Sequence, residues 1–177
     1  TKRRVGFKSR LLLKEALNVD NFRGIVRLLK AILLTTLIFE TVGALLSFPV
    51  FVRNYPPLKA RGISIFHSVS SFNNAGFDIL GGGQSLIPYQ NDILLNLVTG
   101  GLIIFGGLGF LVILDVLKNH SFRKLTLHSK VVISTTLTLL TAGTLVFRFT
   151  LHMPWIGAFF NSVTARTAGF ATYPLND

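Results

Sequence analysis

The chain has 177 residues, of which 50% are hydrophobic and only 14% charged, and its formal net charge is +11. So apolar a composition excludes an intrinsically disordered or collagen-like chain, and indicates a protein whose surface contacts lipid. There is no cysteine, which excludes disulfides, thiolate catalysis and cysteine-based metal sites.

Three interior apolar runs approach or exceed the ~20 residues that a membrane-crossing helix needs. They are residues 31–52, interrupted only by Glu40, the glycine-rich run 93–117, and residues 131–147. Two shorter apolar stretches, 62–72 and 155–165, each lead into a polar turn that contains glycine. Non-helical backbone at membrane depth survives only inside protein or beside water. We therefore expect two re-entrant half-helices, each followed by an extended loop.

The basic residues are distributed unevenly along the chain. Of the 18 Lys and Arg residues, 13 lie in residues 1–30 and 118–130, which three spans place on the same side. The positive-inside rule makes that side cytoplasmic. This predicts a multi-pass protein of the cell (plasma or inner) membrane with a cytoplasmic N-terminus. The basic charge then reflects topology and contact with the lipid bilayer, and no nucleic acid partner is expected because no aromatic-rich platform accompanies it.

An internal repeat is the most informative feature of the sequence. Residues 66–78 (FHSVSSFNNAGFD) recur as 160–172 (FNSVTARTAGFAT), with AGF displaced by 93 residues and the phrase FxSV by 94. The one-residue slip predicts that the two half-helices end differently. To aim successive carbonyls at one axis, some residues must adopt positive φ, which glycine does without penalty. A half-helix before the loop points its negative end at the same place. The pattern is typical of a cation filter.

On these two phrases the sequence resembles the Trk/Ktr/HKT superfamily of potassium transporters, specifically its Ktr-type membrane subunits. The resemblance implies four helix–pore–helix repeats around one ion path, each with one filter glycine. SSFNNAGFD resembles the filter of the second repeat and TARTAGFAT that of the third. The N-terminal RRVGFKSRLLLKEALN resembles the cytoplasmic approach to the second repeat. The chain is therefore interpreted as a fragment of a longer protein.

The predicted fold is an all-α membrane protein of helix–pore-loop–helix repeats, one full and one partial. The resemblance assigns the K⁺ filter to two sets of four residues, which are Asn73, Asn74, Ala75 and Gly76, and Arg166, Thr167, Ala168 and Gly169. The predicted organisation is a cytoplasmic basic juxtamembrane segment (1–30), a full repeat with its filter near 73–77 (31–118), a cytoplasmic linker (119–130), and a partial repeat with a helix, a half-helix and a filter near 166–170 (131–177).

Several residues near the filters leave alternatives open. Glu40, a costly mid-span carboxylate, either holds the filter from behind by a hydrogen bond, contacts the ion directly, or is a silent buried acid. Arg166 either donates to loop carbonyls or places positive charge near the ion path. Asp78 either attracts cations or is a solvated loop acid. The glycines at 100–109 allow close helix packing or form a hinge.

The expected function is passive K⁺ conduction by the membrane subunit of an uptake system, with K⁺ (or Na⁺) as the transported ion. The alternatives are a sodium-coupled or less selective cation transporter, a pore built by two copies of a two-loop chain, and a non-conducting membrane scaffold. No cofactor on this chain, no metal site on its histidines and no enzyme activity are expected. The resemblance implies three partners: the remaining repeats of its own chain, a second copy in a homodimer, and a cytoplasmic ring of nucleotide-binding regulatory subunits.

Overall fold

The computed structural model describes residues 22–173, so most of the basic segment predicted at 1–30 lies outside the described residues. Within them the chain contains helices and no strand, which confirms the all-α prediction for this part. The α-helices are α1 (Phe22–Phe51), α2 (Pro57–Phe72), α3 (Ile93–Leu108), α4 (Phe110–Asn119), α5 (Leu127–Thr150) and α6 (Trp155–Thr167), with short 3-10 helices at Ile87–Tyr89 and Phe122–Lys124.

The chain divides after Ile38 into two compact units. The first unit contains the beginning of α1, on which Leu33 and Leu37 are exposed. The second unit begins at Phe39 and contains the rest of α1 and all the other helices. Every contact discussed below lies within the second unit.

Among residues 22–173, two helices are long and apolar enough to cross a membrane, one at Val26–Phe51 and the other α5. Both turn large apolar side chains outward, such as Leu45 in α1 and Val146 in α5, which are 68% and 59% exposed. Apolar exposure on this scale fits contact with lipid. By contrast, α6 has 13 residues and a length of about 20 Å, well short of the ~30 Å hydrocarbon core.

The second predicted span, 93–117, is interrupted. Helix α3 ends at Leu108 and α4 begins at Phe110, turned by 96°. Between them Gly109 has a φ of 84°, a left-handed conformation that ends a helix cheaply only at glycine. Three residues earlier, Gly106 lies so close to the carbonyl oxygen of Phe72 that a Cβ atom would collide with it. The glycine run therefore contains both a packing contact and a helix break.

A single carboxylate organises the turn between α4 and α5. Oδ2 of Asp115 accepts hydrogen bonds from the backbone N–H and the Oγ1 of Thr126, both at 2.9 Å, and from Ser129 Oγ at 2.6 Å. Its Oδ1 accepts from Asn119 Nδ2 at 2.6 Å. Thr126 also caps the N-terminus of α5, so Asp115 of α4 is hydrogen-bonded directly to the residue that starts the next helix.

The internal repeat extends from the sequence to the packing of each half-helix against the long helix before it. Ser68 Oγ in α2 donates to the backbone oxygen of Glu40 in α1 at 2.7 Å. Ser162 Oγ in α6, 94 residues later, donates to the backbone oxygen of Leu140 in α5 at 2.9 Å. Both serines belong to the repeated FxSV phrase, so the repeat encodes a tertiary contact as well as a loop.

Glycine residues make the close contacts of α1 with α2 and of α5 with α6 possible. A Cβ atom at Gly43 in α1 would collide with Ser68 Oγ, and one at Gly143 in α5 would collide with Ser162 Oγ. Helices in membranes commonly use small residues to bring their backbones close together.

Gly143→Ala is expected to lower the unfolding temperature of the purified full-length protein, because the added methyl group displaces Ser162. Gly62→Ala in α2 is the control, since a Cβ atom there meets nothing within 4 Å. That change gains helix propensity worth up to ~1 kcal/mol and should leave the unfolding temperature equal or higher. Thermal unfolding of both variants measures the difference. A more stable Gly143→Ala protein would disprove the close approach of α5 and α6.

Candidate functional site, the paired pore loops

Two loops follow the C-terminal ends of the half-helices. We call residues 73–78, after α2, pore loop 1, and residues 168–172, after α6, pore loop 2. Helix α2 ends four residues before Gly76, whereas α6 ends only two residues before Gly169. The half-helix ends therefore differ, as the slip in the sequence repeat predicts.

Pore loop 1 begins with a Schellman-type helix end. The backbone N–H of Asn74 donates to Ser71 O at 3.1 Å, and that of Ala75 donates to Ser70 O at 2.9 Å. Asn74 itself has a φ of 52°. Asparagine tolerates this left-handed conformation better than other residues with a side chain. Gly76, with a φ of 66°, then adds a second left-handed residue to the loop.

Pore loop 2 ends its helix differently. The backbone N–H groups of Ala168 and Gly169 both donate to Thr164 O, at 3.0 and 3.2 Å. Here Gly169, with a φ of 76°, is itself the left-handed residue that follows the helix. The two glycines that align in sequence therefore have different local roles. Gly169 ends α6, whereas α2 is already ended by Asn74 and Gly76 lies further along the loop.

The two loops lie directly side by side. A Cβ atom at Gly76 would collide with the backbone oxygen of Ala168, so this contact exists only because residue 76 is glycine. A Cβ atom at Gly169 would meet nothing within 4 Å and therefore faces open space. The structure brings Ala75–Gly76 and Ala168–Gly169 together, although 93 residues separate them in the sequence.

In each loop a hydroxyl group of the half-helix donates a hydrogen bond to the carbonyl of the residue after the repeated glycine. Ser70 Oγ donates to Phe77 O at 3.1 Å, and Thr164 Oγ1 donates to Phe170 O at 2.9 Å. These carbonyls are therefore turned toward the protein. Sequence reasoning did not single out the two hydroxyl residues, although both lie two positions after the serine of the repeated FxSV phrase.

A hydrogen-bonded link beyond the filters joins the two loops again. Asp78 accepts from the backbone N–H of Leu80 at 2.6 Å and of Ser85 at 3.0 Å. The hydroxyl of Ser85 accepts from Ala171 N at 3.0 Å, and Leu86 N donates to Ala171 O at 2.9 Å. Asp78 thus shapes the outer loop that contacts pore loop 2.

Tyr89, three residues after Leu86, is buried beside α1. Tyr89 packs edge-on against Phe51 and accepts a hydrogen bond from Asn54 Nδ2 at 3.1 Å. Burial raises the pKa of the Tyr89 phenol above its ordinary value, so the group is neutral at physiological pH.

Glu40 lies beside the start of pore loop 1. Its Oε1 accepts a hydrogen bond from Asn73 Nδ2 at 2.9 Å, and the same amide donates to Val69 O at 2.9 Å. The adjacent Phe39 ring stacks on Phe72, the last residue of α2, at 5.4 Å between centroids. Of the three roles considered for Glu40, this geometry matches a hydrogen bond that holds the loop from behind.

Arg166 occupies the position equivalent to Asn73 but has a different environment. The position equivalent to Glu40 is Leu140, so the carboxylate that Asn73 contacts has no counterpart at that position. The guanidinium of Arg166 instead lies at the end of α3, where Nη2 is 2.9 Å from the point that a Cβ of Gly107 would occupy. Nη1 is buried and has no hydrogen-bond partner among residues 22–173. Within that range Arg166 donates to no loop carbonyl.

Comparison with known proteins places the chain in a family. A family model described as "Cation transport protein" matches residues 2–177. The "Potassium/sodium uptake protein NtpJ" of Enterococcus hirae is 41% identical over 180 residues, which cover 96% of this chain and 40% of NtpJ. The "Ktr system potassium uptake protein B" of Bacillus subtilis is 36% identical (95% of this chain, 40% of the relative), and that of Vibrio alginolyticus is 35% identical (97% and 40%).

The chain thus spans about two fifths of the length of the curated relatives it matches. The alignments nevertheless include nearly all of its own residues, both pore loops among them. They confirm the resemblance found in the repeated phrases, and the family is one of transport proteins and not of enzymes. The chain therefore belongs to the TrkH family of cation transport proteins.

Proposed function

We propose that this chain is part of the conducting subunit of a potassium uptake system, and that its two pore loops line one ion path. The observation that carries the proposal is the contact of Gly76 with the backbone oxygen of Ala168. It brings two left-handed glycine loops together at the C-terminal ends of two half-helices. Those ends carry partial negative charge, which favours a cation between them.

The proposed ligands are backbone oxygens. A dehydrated K⁺ ion exchanges its water for several carbonyl groups. The hydroxyls of Ser70 and Thr164 donate to the carbonyls of Phe77 and Phe170. The backbone oxygens of the residues that precede these phenylalanines are therefore the proposed ligands of the ion. We assign this role to residues 73–76 and 166–169.

The packing of the two phenylalanines after the filter glycines supports a ring of more than two loops. Phe170 is 2% exposed and lies 5.4 Å from the ring of His67 in the preceding repeat, whereas Phe77 is 68% exposed. When one repeat contacts the next head to tail, the first and the last repeat each keep one contact surface without a partner. Only further repeats can cover these surfaces and close a ring. We infer that the remaining repeats of the same protein supply the contacts that Phe77 lacks, and that residues 31–118 and 131–177 are two successive repeats.

Transport of Na⁺ beside K⁺ is a second candidate, because NtpJ of E. hirae is named a potassium/sodium uptake protein. The relatives named Ktr system proteins support a subunit that works with others. We therefore also propose a homodimer in the cell membrane, with a cytoplasmic N-terminus and a regulatory nucleotide-binding ring on that side. Conduction is proposed to be passive, and to need no cofactor on this chain.

Serine substitutions at the filter glycines test the pore. In the full-length protein, Gly169→Ser should reach the membrane in normal amounts but lower the preference for K⁺ over Na⁺ by about tenfold, equivalent to ~1.4 kcal/mol. A left-handed residue with a Cβ costs roughly 1–2 kcal/mol, enough to turn a carbonyl but not to unfold the protein. Gly76→Ser should also lower the amount of protein, because its side chain collides with Ala168. Uptake of K⁺ in competition with Na⁺, together with membrane expression, measures both effects.

Gly83→Ser is the matched control for backbone strain. Gly83 has the same φ of 66° as Gly76, but a Cβ atom there meets nothing within 4 Å. It should leave both expression and ion preference close to those of the unaltered protein. If Gly169→Ser is expressed normally and its preference for K⁺ is unchanged, Gly169 is not part of the filter. Absence of uptake by the unaltered full-length protein would favour the scaffold alternative.

Substitution of Glu40 separates a hydrogen-bonding role from an electrostatic one. Glu40→Gln keeps an oxygen that accepts from Asn73, so ion preference should remain within about threefold of the original. Glu40→Leu removes the acceptor and should lower K⁺ preference further. The same competition assay applies. Equal losses in the two variants would mean that the negative charge, and not the hydrogen bond, is what matters.

The orientation is tested by cysteine labelling of a cysteine-free form of the full-length protein. His120 and Gln84 are both exposed, on the α4–α5 turn and on the loop after pore loop 1. In intact cells, His120→Cys should be protected from an impermeant thiol reagent and Gln84→Cys should be labelled. The opposite pattern would reverse the proposed direction of the pore.

A further inference from the structure

A groove outside the pore loops separates the two repeats. It has a volume of about 440 Å³ and lies between α3, α5 and α6. Phe159 of α6 lines it and also sits 3.5 Å from where a Cβ of Gly100 in α3 would lie. The groove thus lies where α3 of one repeat meets α5 and α6, the first two helices of the next.

The lining of the groove suits a hydrocarbon chain. Most of it is aliphatic or aromatic, with Ile104, Leu137 and Phe159 among the lining residues. Two of its three threonines use their hydroxyls within α5, where Thr141 donates to Leu137 O at 2.8 Å and Thr144 to Leu140 O at 2.6 Å. These hydroxyls are already satisfied, so an apolar ligand leaves them undisturbed.

A cation and an indole ring lie together at the end of the groove where α5 stops and α6 begins. Trp155 lines this end and is 58% exposed. The guanidinium of Arg148 lies 5.4 Å from the centre of the Trp155 ring, and Nη1 donates to Met153 O at 3.0 Å. Its other N–H groups make no hydrogen bond within residues 22–173. Tryptophan and arginine in this arrangement are typical of the headgroup level of a membrane.

The length of the groove matches one leaflet. From Ile133, the lining residue of α5 that is farthest from Arg148, to Arg148 is 15 residues, or about 22 Å of helix. One leaflet with its headgroups makes up about half of the ~40–45 Å bilayer. An acyl chain that starts at Arg148 would therefore reach the bottom of the groove near the middle of the bilayer.

We propose that this groove binds one acyl chain of an anionic phospholipid, whose headgroup phosphate contacts Arg148. The planar guanidinium donates to phosphate oxygens in paired geometry, and its position above Trp155 keeps it at the level of the headgroup. The proposal depends on insertion of the chain in a membrane, but not on conduction through the pore loops. A failure of the filter experiments would leave it intact.

The test uses the full-length protein, delipidated by detergent exchange and examined by native mass spectrometry. Phosphatidylglycerol and phosphatidylcholine with identical acyl chains are added back separately. We expect one tightly held phosphatidylglycerol. Thr141→Phe, which fills the groove, should reduce its retention about tenfold. Thr138→Phe is the matched control, because Thr138 is exposed on the same helix and does not line the groove.

Arg148→Gln tests the headgroup contact independently. It should lower phosphatidylglycerol retention several-fold and leave that of phosphatidylcholine unchanged. Equal retention by Thr141→Phe and Thr138→Phe overturns the proposal. So does the absence of retained lipid in the unaltered protein, the result expected if another segment of the full-length chain or a second copy fills the groove. If Thr141→Phe fails to fold, Arg148→Gln decides, and an unchanged ratio of the two lipids rejects the site.

Discussion

The contact between Gly76 and the backbone oxygen of Ala168 is the constraint on which the candidate site depends. It joins two loops whose own sequences contain little to hold them together. For the contact to form, the two half-helices must end close to each other, and each loop must contain a residue in the left-handed conformation. Any side chain at position 76 would push the loops apart, so the whole arrangement depends on one missing Cβ atom.

Hydroxyl groups maintain this arrangement in surroundings where water is scarce. Backbone carbonyls buried in a membrane protein need internal partners. Ser68 and Ser162 provide them to the long helices, and Ser70 and Thr164 to the loops. Each repeat has two of these four bonds, in equivalent places. They fix which carbonyl oxygens of the two loops face the protein.

The two repeats differ where their partners differ. Asn73 reaches the carboxylate of Glu40 on the preceding long helix, whereas the equivalent position in the second repeat is Leu140 and Arg166 extends toward the end of α3. Helix α3 breaks close to this point, at Gly109, and Gly106 touches the last turn of α2. The end of α2 is therefore in contact with the last turn of α3, next to the helix break. Gly107, next to Gly106 in α3, lies beside Asn74 of pore loop 1 and Arg166 of α6.

Hydrophobicity, charge and the repeated phrases were enough to predict the long helices, the two short helices and the two glycines with positive φ. These features depend on residues that are near one another in the sequence. The FxSV phrase also contains the two serines that contact the long helices. Their glycine partners, Gly43 and Gly143, are 100 residues apart, whereas the serines are 94 apart. Because the two offsets differ, the sequence does not reveal that these serines and glycines are paired.

Tertiary structure alone decided the rest. The 96° turn within the second apolar run depends on the conformation of Gly109, and an apolar run looks the same whether or not it bends. The environment of Arg166, the link from Asp78 to Ala171 and the groove beside Trp155 all join segments far apart in the chain. Local propensity and hydropathy carry no information about such contacts, because their energies arise only when separate helices pack against one another.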